Sequence, residues 1–180
     1  MRSVRVRHPA ASDRAALEAM FARCTTATRY ARFHGHTHAI PERYLAEALS
    51  GSPAHVAIIA CADSRTVVAL ASCRTVAAGT AELGILVEDS AQRQGIGRLL
   101  LRQLASHARR HGLTTPKAAV LHHQAWIIRL LREHGTCEAK TGREVLDITL
   151  RLDPQKRDQR KDDEMEPSEH LHAVGAAIER

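Results

Sequence analysis

The sequence predicts an α/β domain built on a mixed, mostly antiparallel sheet that is flanked by about four helices. Three observations favour this class. Two apolar runs, 54–61 and 66–73, are separated by four residues of turn type. Residues 96–111 repeat apolar side chains at helical spacing, and strand and helix patterns then alternate to residue 152. With 180 residues, 44% hydrophobic and 26% charged, the chain is long enough for one domain with a sizeable core.

The first quarter of the chain predicts one short strand and two helices. Val4 and Val6 alternate with arginines before Pro9, as in a short strand that ends at proline. Residues 13–23 then carry apolar side chains at helical spacing, and residues 41–49 do so after a proline that is suited to a helix start. The histidine-rich stretch between these two helices has no clear period, so we expect a loop over residues 24–39.

The middle of the chain predicts three strands and one long helix. The runs 54–61 and 66–73 form a hairpin, and a third strand covers residues 80–87. The helix over residues 96–111 has an apolar stripe that includes Leu100 and Leu104, and it ends at Gly112.

The last third predicts a strand at 117–122, a helix at 124–134 and a final strand at 144–152. The composition changes after Pro154, because residues 155–169 are nearly all charged or polar. We therefore expect one domain over residues 1–152 and a charged, flexible tail over residues 153–180, with one short amphipathic helix near Leu171.

Charge is distributed unevenly along the chain. Residues 1–152 hold 21 basic and 12 acidic side chains, a net charge of +9, and the remaining residues hold 5 and 8, a net charge of −3. A basic globule favours phosphate-bearing ligands, either nucleic acid or a phosphorylated cofactor. Only 3% of the residues are aromatic, and the basic ones are scattered, so we rank a nucleic-acid binder last.

Four cysteines show no CxxC spacing, and two of them lie in apolar runs, so we expect reduced thiols. The N-terminal residues contain no apolar stretch of signal-peptide length, and no run of about 18 apolar residues occurs. We therefore expect a cytoplasmic protein with no membrane partner. The alternating His34, His36 and His38 lack a carboxylate or thiol at matching spacing, so we predict no metal site.

The segment that carries chemistry is the passage from the strand at 80–87 into the long helix. Gly95 and Gly97 stand at the first turn of that helix. The free N–H groups of a helix N-terminus attract anions, and glycines let a phosphate approach closely. Arg93 and Arg98 add positive charge at the same place. A tight strand-to-helix turn without any ligand remains the alternative at this point.

Gln92-Arg93-Gln94-Gly95-Ile96-Gly97 resembles the [Gln/Arg]-x-x-Gly-x-[Gly/Ala] motif of the GNAT superfamily of acyl-CoA-dependent N-acetyltransferases. The similarity begins at the opening Val6-Arg7-His8-Pro9 and extends to about residue 152. It implies a sheet splayed between its fourth and fifth strands, with acetyl-CoA as cosubstrate in the cleft. It also implies the following cofactor-binding residues: Leu86, Val87, Gln92, Arg93, Gln94, Gly95, Ile96, Gly97, Arg98 and Gln124.

The resemblance implies acetyl transfer to a primary amine, with Glu82 as the catalytic base in a ternary complex. An ammonium group has no lone pair for attack on a thioester, so a base assists the reaction. On a regular strand, Glu82 shares a face with Gly84 and Leu86, and we expect apolar neighbours that raise its pKa. An ion-paired or exposed glutamate is the alternative. A backbone N–H near Leu86 or Val87 is suited to stabilise the thioester oxyanion.

The last helix departs from the family pattern. Counting back from Gly135, Gln124 takes the position of a common Asn, and Leu131 takes that of a Tyr that protonates the departing thiolate. Either the thiolate leaves unassisted, or Tyr30 or a histidine supplies the proton, or turnover is slow. The same departure supports the second function class, a catalytically weak acyl-CoA-binding regulatory module.

The stretch Arg29-Tyr30-Ala31-Arg32-Phe33 is also similar to one in the GNAT domain of bacterial protein-lysine acetyltransferases, where it borders the acceptor side. A loop anchored in the core by Tyr30 and Phe33 is the alternative. The acceptor is therefore left as a small molecule or a protein lysine, and a homodimer is left open.

Overall fold

The computed structural model describes residues 4–63 and 65–156, so the predicted tail beyond Lys156 and its short helix near Leu171 lie outside the described residues. Seven strands form one sheet in the order β1-β2-β3-β4-β5-β7-β6. All neighbours are antiparallel except β4 and β5, which are parallel. The strands are β1 (Arg5–Arg7), β2 (His55–Cys61), β3 (Val67–Ala77), β4 (Thr80–Val87), β5 (Thr115–Leu121), β6 (Gly135–Thr141) and β7 (Val145–Leu152).

Five α-helices accompany the sheet in the described part of the chain. They are α1 (Arg14–Arg23), α2 (Thr26–Phe33), α3 (Glu42–Leu49), α4 (Ile96–Arg110) and α5 (Ile127–Arg132). Short 3-10 turns precede α1, α4 and α5. The mixed α/β class, the mostly antiparallel sheet and its opening after the fourth strand are confirmed, with one helix more than the sequence predicted. Within the described residues, no helix has both the length and the apolarity needed to cross a membrane.

The two faces of the sheet carry different helices because side chains alternate along each strand. On one face, α1 and α3 pack against a core that includes Ile59, Leu70 and Leu86. On the opposite face, Leu100 and Leu104 of α4 pack against β2, β3 and β4. The helix α5 packs on that same opposite face, over β5 and β7. Residues of even number in β4 and odd number in β5 and β7 therefore face the α1 and α3 side, which we call the acceptor face.

The sheet opens between β4 and β5. These strands pair only at Thr80–Thr115, Ala81–Pro116 and Glu82–Lys117. β4 then continues to Val87 while β5 turns to pair with β7 from Lys117 to Leu121. The ends of β4 and β5 therefore diverge and leave a cleft between them.

Two elements differ from the sequence prediction. The predicted loop at 24–39 contains the helix α2, which Thr25 caps by accepting a hydrogen bond from the Thr28 N–H (3.2 Å). None of its residues is fully buried, and it spans only eight residues, too short a stretch for its helical period to be recognised in the sequence. The strand β6 was not predicted either, because it is a partly exposed edge strand with charged residues in place of an apolar alternation.

Candidate active site

The turn between β4 and α4 forms a concave backbone surface. Arg93 (φ 60°) and Gly95 (φ 84°) both have left-handed backbone conformations, which bend the chain so that α4 begins at Ile96. The first N–H groups of α4 have no partners inside the helix and point out of its end. A Cβ atom at Gly97 would meet only Val87, at 4.0 Å. The space ahead of this helix end is therefore open, and its dipole suits a phosphate.

Side chains from the predicted motif hold this turn in shape. The Gln92 side-chain amide donates to the Val87 carbonyl (3.1 Å), and that of Gln94 donates to the Ser90 carbonyl (2.9 Å). The Arg98 guanidinium forms an ion pair with Glu133 at 2.8 Å. These three side chains are engaged by the protein itself, so the anion-binding capacity of the segment lies mainly in its backbone.

A cleft of about 1510 Å³ runs from this turn into the opening between β4 and β5. The turn and the divergent strands line it together with α2, α3 and α5. Of the predicted cofactor-binding residues, the cleft brings together Leu86, Val87, Gln92, Arg93, Gly97 and Gln124. Gln94, Gly95 and Arg98 do not line it, and the Ile96 side chain is buried against the sheet (4% exposed).

Glu82 lies on the acceptor face at the point where the sheet opens. Its side chain is 56% exposed and pairs with Arg74 of β3 at 2.5 Å. Lys117 is its register partner on β5, so a cation stands on each neighbouring strand. The expectation of apolar neighbours is therefore wrong, because the cross-strand neighbours of Glu82 are charged. The predicted face is correct, and Glu82 lines the cleft with Gly84 and Leu86.

Two carboxylates after β4, which the sequence reasoning missed, connect the turn to α1 and α2. Glu88 is 8% exposed and pairs with Arg23 at 2.7 Å, a contact that holds the pKa of Glu88 below its usual range. Asp89 accepts hydrogen bonds from the Thr25 N–H, the Thr25 hydroxyl and the Thr28 hydroxyl, each at 2.8 Å. Burial raises the pKa of Asp89, but these hydrogen bonds outweigh it, so the pKa is lowered.

Arg32 of α2 is a further cleft residue to which the sequence analysis gave no role of its own. Its guanidinium carbon lies 4.8 Å from the ring centre of Phe33 and 4.9 Å from that of Tyr44. The guanidinium also occupies the space where a Cβ atom of Gly84 would be. Only glycine at position 84 lets this cation lie directly on β4.

Beside Arg32, a buried polar group joins α3 to the sheet. His55 is 4% exposed, and its Nδ1 lies 3.1 Å from the Glu47 carboxylate. Burial is the main reason why the pKa of His55 is lowered. The Tyr44 hydroxyl donates to the Ser72 hydroxyl at 3.0 Å. These contacts fix the acceptor-face wall of the cleft.

The residues considered for thiolate protonation are placed as follows. Leu131 is buried (2% exposed) in the core under α5, and it reaches the cleft wall. The Tyr30 hydroxyl donates to Glu144 at 3.1 Å. His34, His55 and His123 line the cleft. Among the described residues, no group of three or more His, Cys, Asp or Glu side chains is arranged to hold a metal ion.

The sheet opens beside a helix N-terminus that suits a phosphate, and a carboxylate stands at the point of opening, so the cleft is shaped for an extended phosphorylated ligand. The GNAT acetyltransferase family model matches residues 15–136. The chain therefore belongs to the GNAT acetyltransferase family. A search of curated protein sequences gave no significant match.

Solved structures share the fold at low sequence identity. The GNAT domain of S. lividans PAT is 21% identical with a TM-score of 0.73, over 83% of this chain and 90% of that one. The putative acetyltransferase yncA from Salmonella typhimurium, solved with acetyl-CoA, is 21% identical with a TM-score of 0.64, over 89% and 99%. Spermidine N-acetyltransferase from Vibrio cholerae, solved with CoA and spermine, is 12% identical with a TM-score of 0.61, over 83% and 95%.

Proposed function

We propose that this protein transfers an acetyl group from acetyl-CoA to a primary amine by direct attack in a ternary complex. The observation that carries the proposal is the cleft between β4 and β5, which ends at the open N-terminus of α4. The backbone from Gln92 to Gly97 would hold the pyrophosphate of acetyl-CoA. The unpaired edge of β4 near Leu86 and Val87 would receive the amide groups of the pantetheine arm. Acetyl-CoA supplies the activated thioester.

Glu82 is the proposed base. It lies two and four residues before Gly84 and Leu86 on the same face, so its carboxylate stands at the acceptor end of the cleft. To take a proton from the incoming ammonium, the carboxylate must loosen its contact with Arg74. The deprotonated nitrogen then attacks the thioester carbon, and the C–S bond breaks as CoA leaves as a thiolate. The second proton of the nitrogen passes to the thiolate or to water.

The thiolate has no tyrosine at the usual place, because Leu131 is an apolar side chain packed in the core. This residue also favours a second candidate function, a regulatory module that binds acyl-CoA and turns it over weakly. The two functions differ in their need for Glu82, since binding alone requires no base.

The first experiment measures the unfolding temperature with acetyl-CoA and, separately, with ATP as a phosphate control. Ligand at about one hundred times its Kd stabilises the folded state by roughly 2.7 kcal/mol. We expect acetyl-CoA alone to raise the unfolding temperature, by about 5–11 °C for a domain of this size. An equal response to ATP, or no response to either, would contradict the proposed cofactor site.

The second experiment measures thiol release with a panel of amines in wild type and Glu82→Gln. Loss of a general base lowers kcat by about 100-fold or more. Glu138→Gln is the matched control, because Glu138 lies on the same face at the outer strand and also pairs with an arginine, Arg151, at 3.0 Å. Equal activity in all three proteins would exclude Glu82 as the base. Acetyl-CoA binding without thiol release from any amine would favour the regulatory module.

A further inference from the structure

Arg32 presents an unusual cation inside the cleft. Its guanidinium lies against two aromatic rings and on the backbone of β4 at Gly84, and the residue is half-buried. Such a group carries five N–H donors in a planar arrangement. Within the described residues, no hydrogen bond or ion pair of the Arg32 guanidinium is found, although both rings hold it in position.

Two carboxylates that line the cleft on α3 and β4 are engaged by other cations, while Asp147 of β7 lines it as well. Glu82 pairs with Arg74, and Glu47 contacts both Arg43 and His55. The positive charge of Arg32 acts on two histidines near it. Burial lowers the pKa of His34 and of His55, and the positive charge of Arg32 lowers both further. A half-buried, unneutralised guanidinium with free donors favours a carboxylate ligand, which it can bind through two parallel hydrogen bonds.

We infer that Arg32 is the carboxylate subsite of the acceptor, so that the acceptor is a small amino acid. This inference rests on the proposed acetyl transfer. The carboxylate of the acceptor binds the Arg32 guanidinium above Gly84, and its amine faces Glu82. Glu82 takes one proton from the ammonium, the nitrogen attacks the thioester carbon, and CoA leaves as a thiolate. The second proton of the nitrogen passes to the thiolate or to water, and the carboxylate of the acceptor stays ionised throughout.

The spacing of the two charged groups suits a zwitterion. Glu82 and Gly84 are separated by one full strand repeat, about 7 Å between Cα atoms, and both face the cleft. A negative group for the ammonium and a positive group for the carboxylate thus stand side by side. A polyamine would instead bring a second ammonium toward the guanidinium, and the like charges would disfavour it. The rings of Phe33 and Tyr44 cover Arg32 and enclose the site. An enclosed site favours a small molecule over a protein segment.

The test compares wild type with Arg32→Met, which keeps an unbranched stem that can pack on the two rings and removes the guanidinium with its charge. The probes are the common amino acids and, for each, the primary amide of its carboxylate. Thiol release with acetyl-CoA should give a kcat/KM at least about 10-fold higher for the preferred amino acid than for its amide in wild type. In Arg32→Met that ratio should fall to about 1, chiefly through KM. Arg32→Lys should restore it only in part, because an ammonium lacks the planar pair of donors.

Arg43→Met is the matched control, because Arg43 is an arginine at the same cleft whose charge is already paired with Glu47. It should retain the wild-type preference for the carboxylate. A parallel measurement needs no turnover: the amino acid should raise the unfolding temperature of wild type, in the presence of CoA, more than its amide does. Arg32→Met should abolish this difference.

The inference is overturned if amino acids and their amides behave alike in wild type, or if Arg32→Met keeps the preference. It is also overturned if a lysine peptide is acetylated equally well by wild type and Arg32→Met and better than any amino acid. Absence of both acetyl-CoA binding and thiol release would instead contradict the proposed function. In that case the unfolding-temperature comparison is made without CoA and still decides whether Arg32 binds a carboxylate.

Discussion

Replacing Asp89 by Ala should detach the first turn of α2 from the turn that begins the cleft. The carboxylate receives three hydrogen bonds of 2.8 Å from Thr25 and Thr28, and it stands at the N-terminus of α2, where the helix dipole favours negative charge. A typical hydrogen bond contributes about 0.5–1.5 kcal/mol, and one to a charged group contributes more. Two of the three are exposed to solvent, which weakens them, so we take the lower part of the typical range and expect a loss of about 2 kcal/mol.

That loss corresponds to a fall in unfolding temperature of about 4–8 °C for a domain of this size. Differential scanning calorimetry measures it, and hydrogen exchange locates it, since the amides at the start of α2 should exchange faster in the variant while those of α4 stay protected. Glu138→Ala, which removes an exposed pair with Arg151, is the control and should change the unfolding temperature little.

A pH series gives a second readout. The lowered pKa of Asp89 means that its contribution is present at neutral pH and is lost as the pH falls through that pKa. Wild type and Asp89→Ala should therefore converge in stability under acid conditions. An unfolding temperature within about 1 °C of wild type at neutral pH, with unchanged exchange in α2, would refute the role given to this carboxylate.

Two further predictions concern the turn between β4 and α4 and a half-buried histidine. Gly97→Asp should raise the Kd for acetyl-CoA by more than about 10-fold through charge repulsion and steric overlap with the pyrophosphate. Its unfolding temperature without ligand should hardly change, because a Cβ there meets only Val87 at 4.0 Å. Titration calorimetry measures the Kd and thermal melts measure the unfolding temperature, each with Gly97→Ala as control. Burial and the nearby His111 and Arg110 lower the pKa of His107 to about 4. Since protons bind His107 more readily in the unfolded chain, stability should fall between about pH 6.5 and 4. His107→Gln should reduce that fall in a pH series of thermal melts, and an unchanged slope would contradict the assignment.

Much of the fold could be predicted because its core elements carry strong periodic patterns. The helix α4 was predicted to within one residue, since its apolar stripe packs into the sheet. The hairpin β2–β3 was recognised from two apolar runs around a turn, although β3 extends further than predicted, to Ala77. Elements held by polar contacts gave no comparable signal. The stability of α2 depends on Asp89, on a threonine cap and on ring contacts of arginine, none of which produces a periodicity.

Some features of the candidate site could likewise be predicted from the sequence, and others could not. The glycine-bearing turn was visible because Gly95 adopts a left-handed conformation that the residue type itself indicates. The pairing of Glu82 with Arg74 could not be predicted from the sequence. It depends on the register of β3 with β4, which joins residues eight positions apart. The place of Arg32 depends on α2 crossing β4, a tertiary contact that no local pattern specifies. Gly84 was the one available signal, as a strand glycine that marks a close approach of another group.

The short pairing of β4 with β5 has a consequence for how the molecule moves. Within the described residues, three register pairs join β1–β4 to β5–β7 along the sheet. The helix α4 also bridges the two parts, because Leu100 packs in one core and Leu101 in the other. Each half has its own ladder, and the two cores meet at Leu83 and Ile85 of β4, so few contacts along the sheet hold the halves together and each can open as a cooperative unit. A cofactor laid along the divergent strands would join the halves in the manner of an added strand. Amides at the seam should then show the largest gain in exchange protection when acetyl-CoA binds, larger than that in the centre of either half.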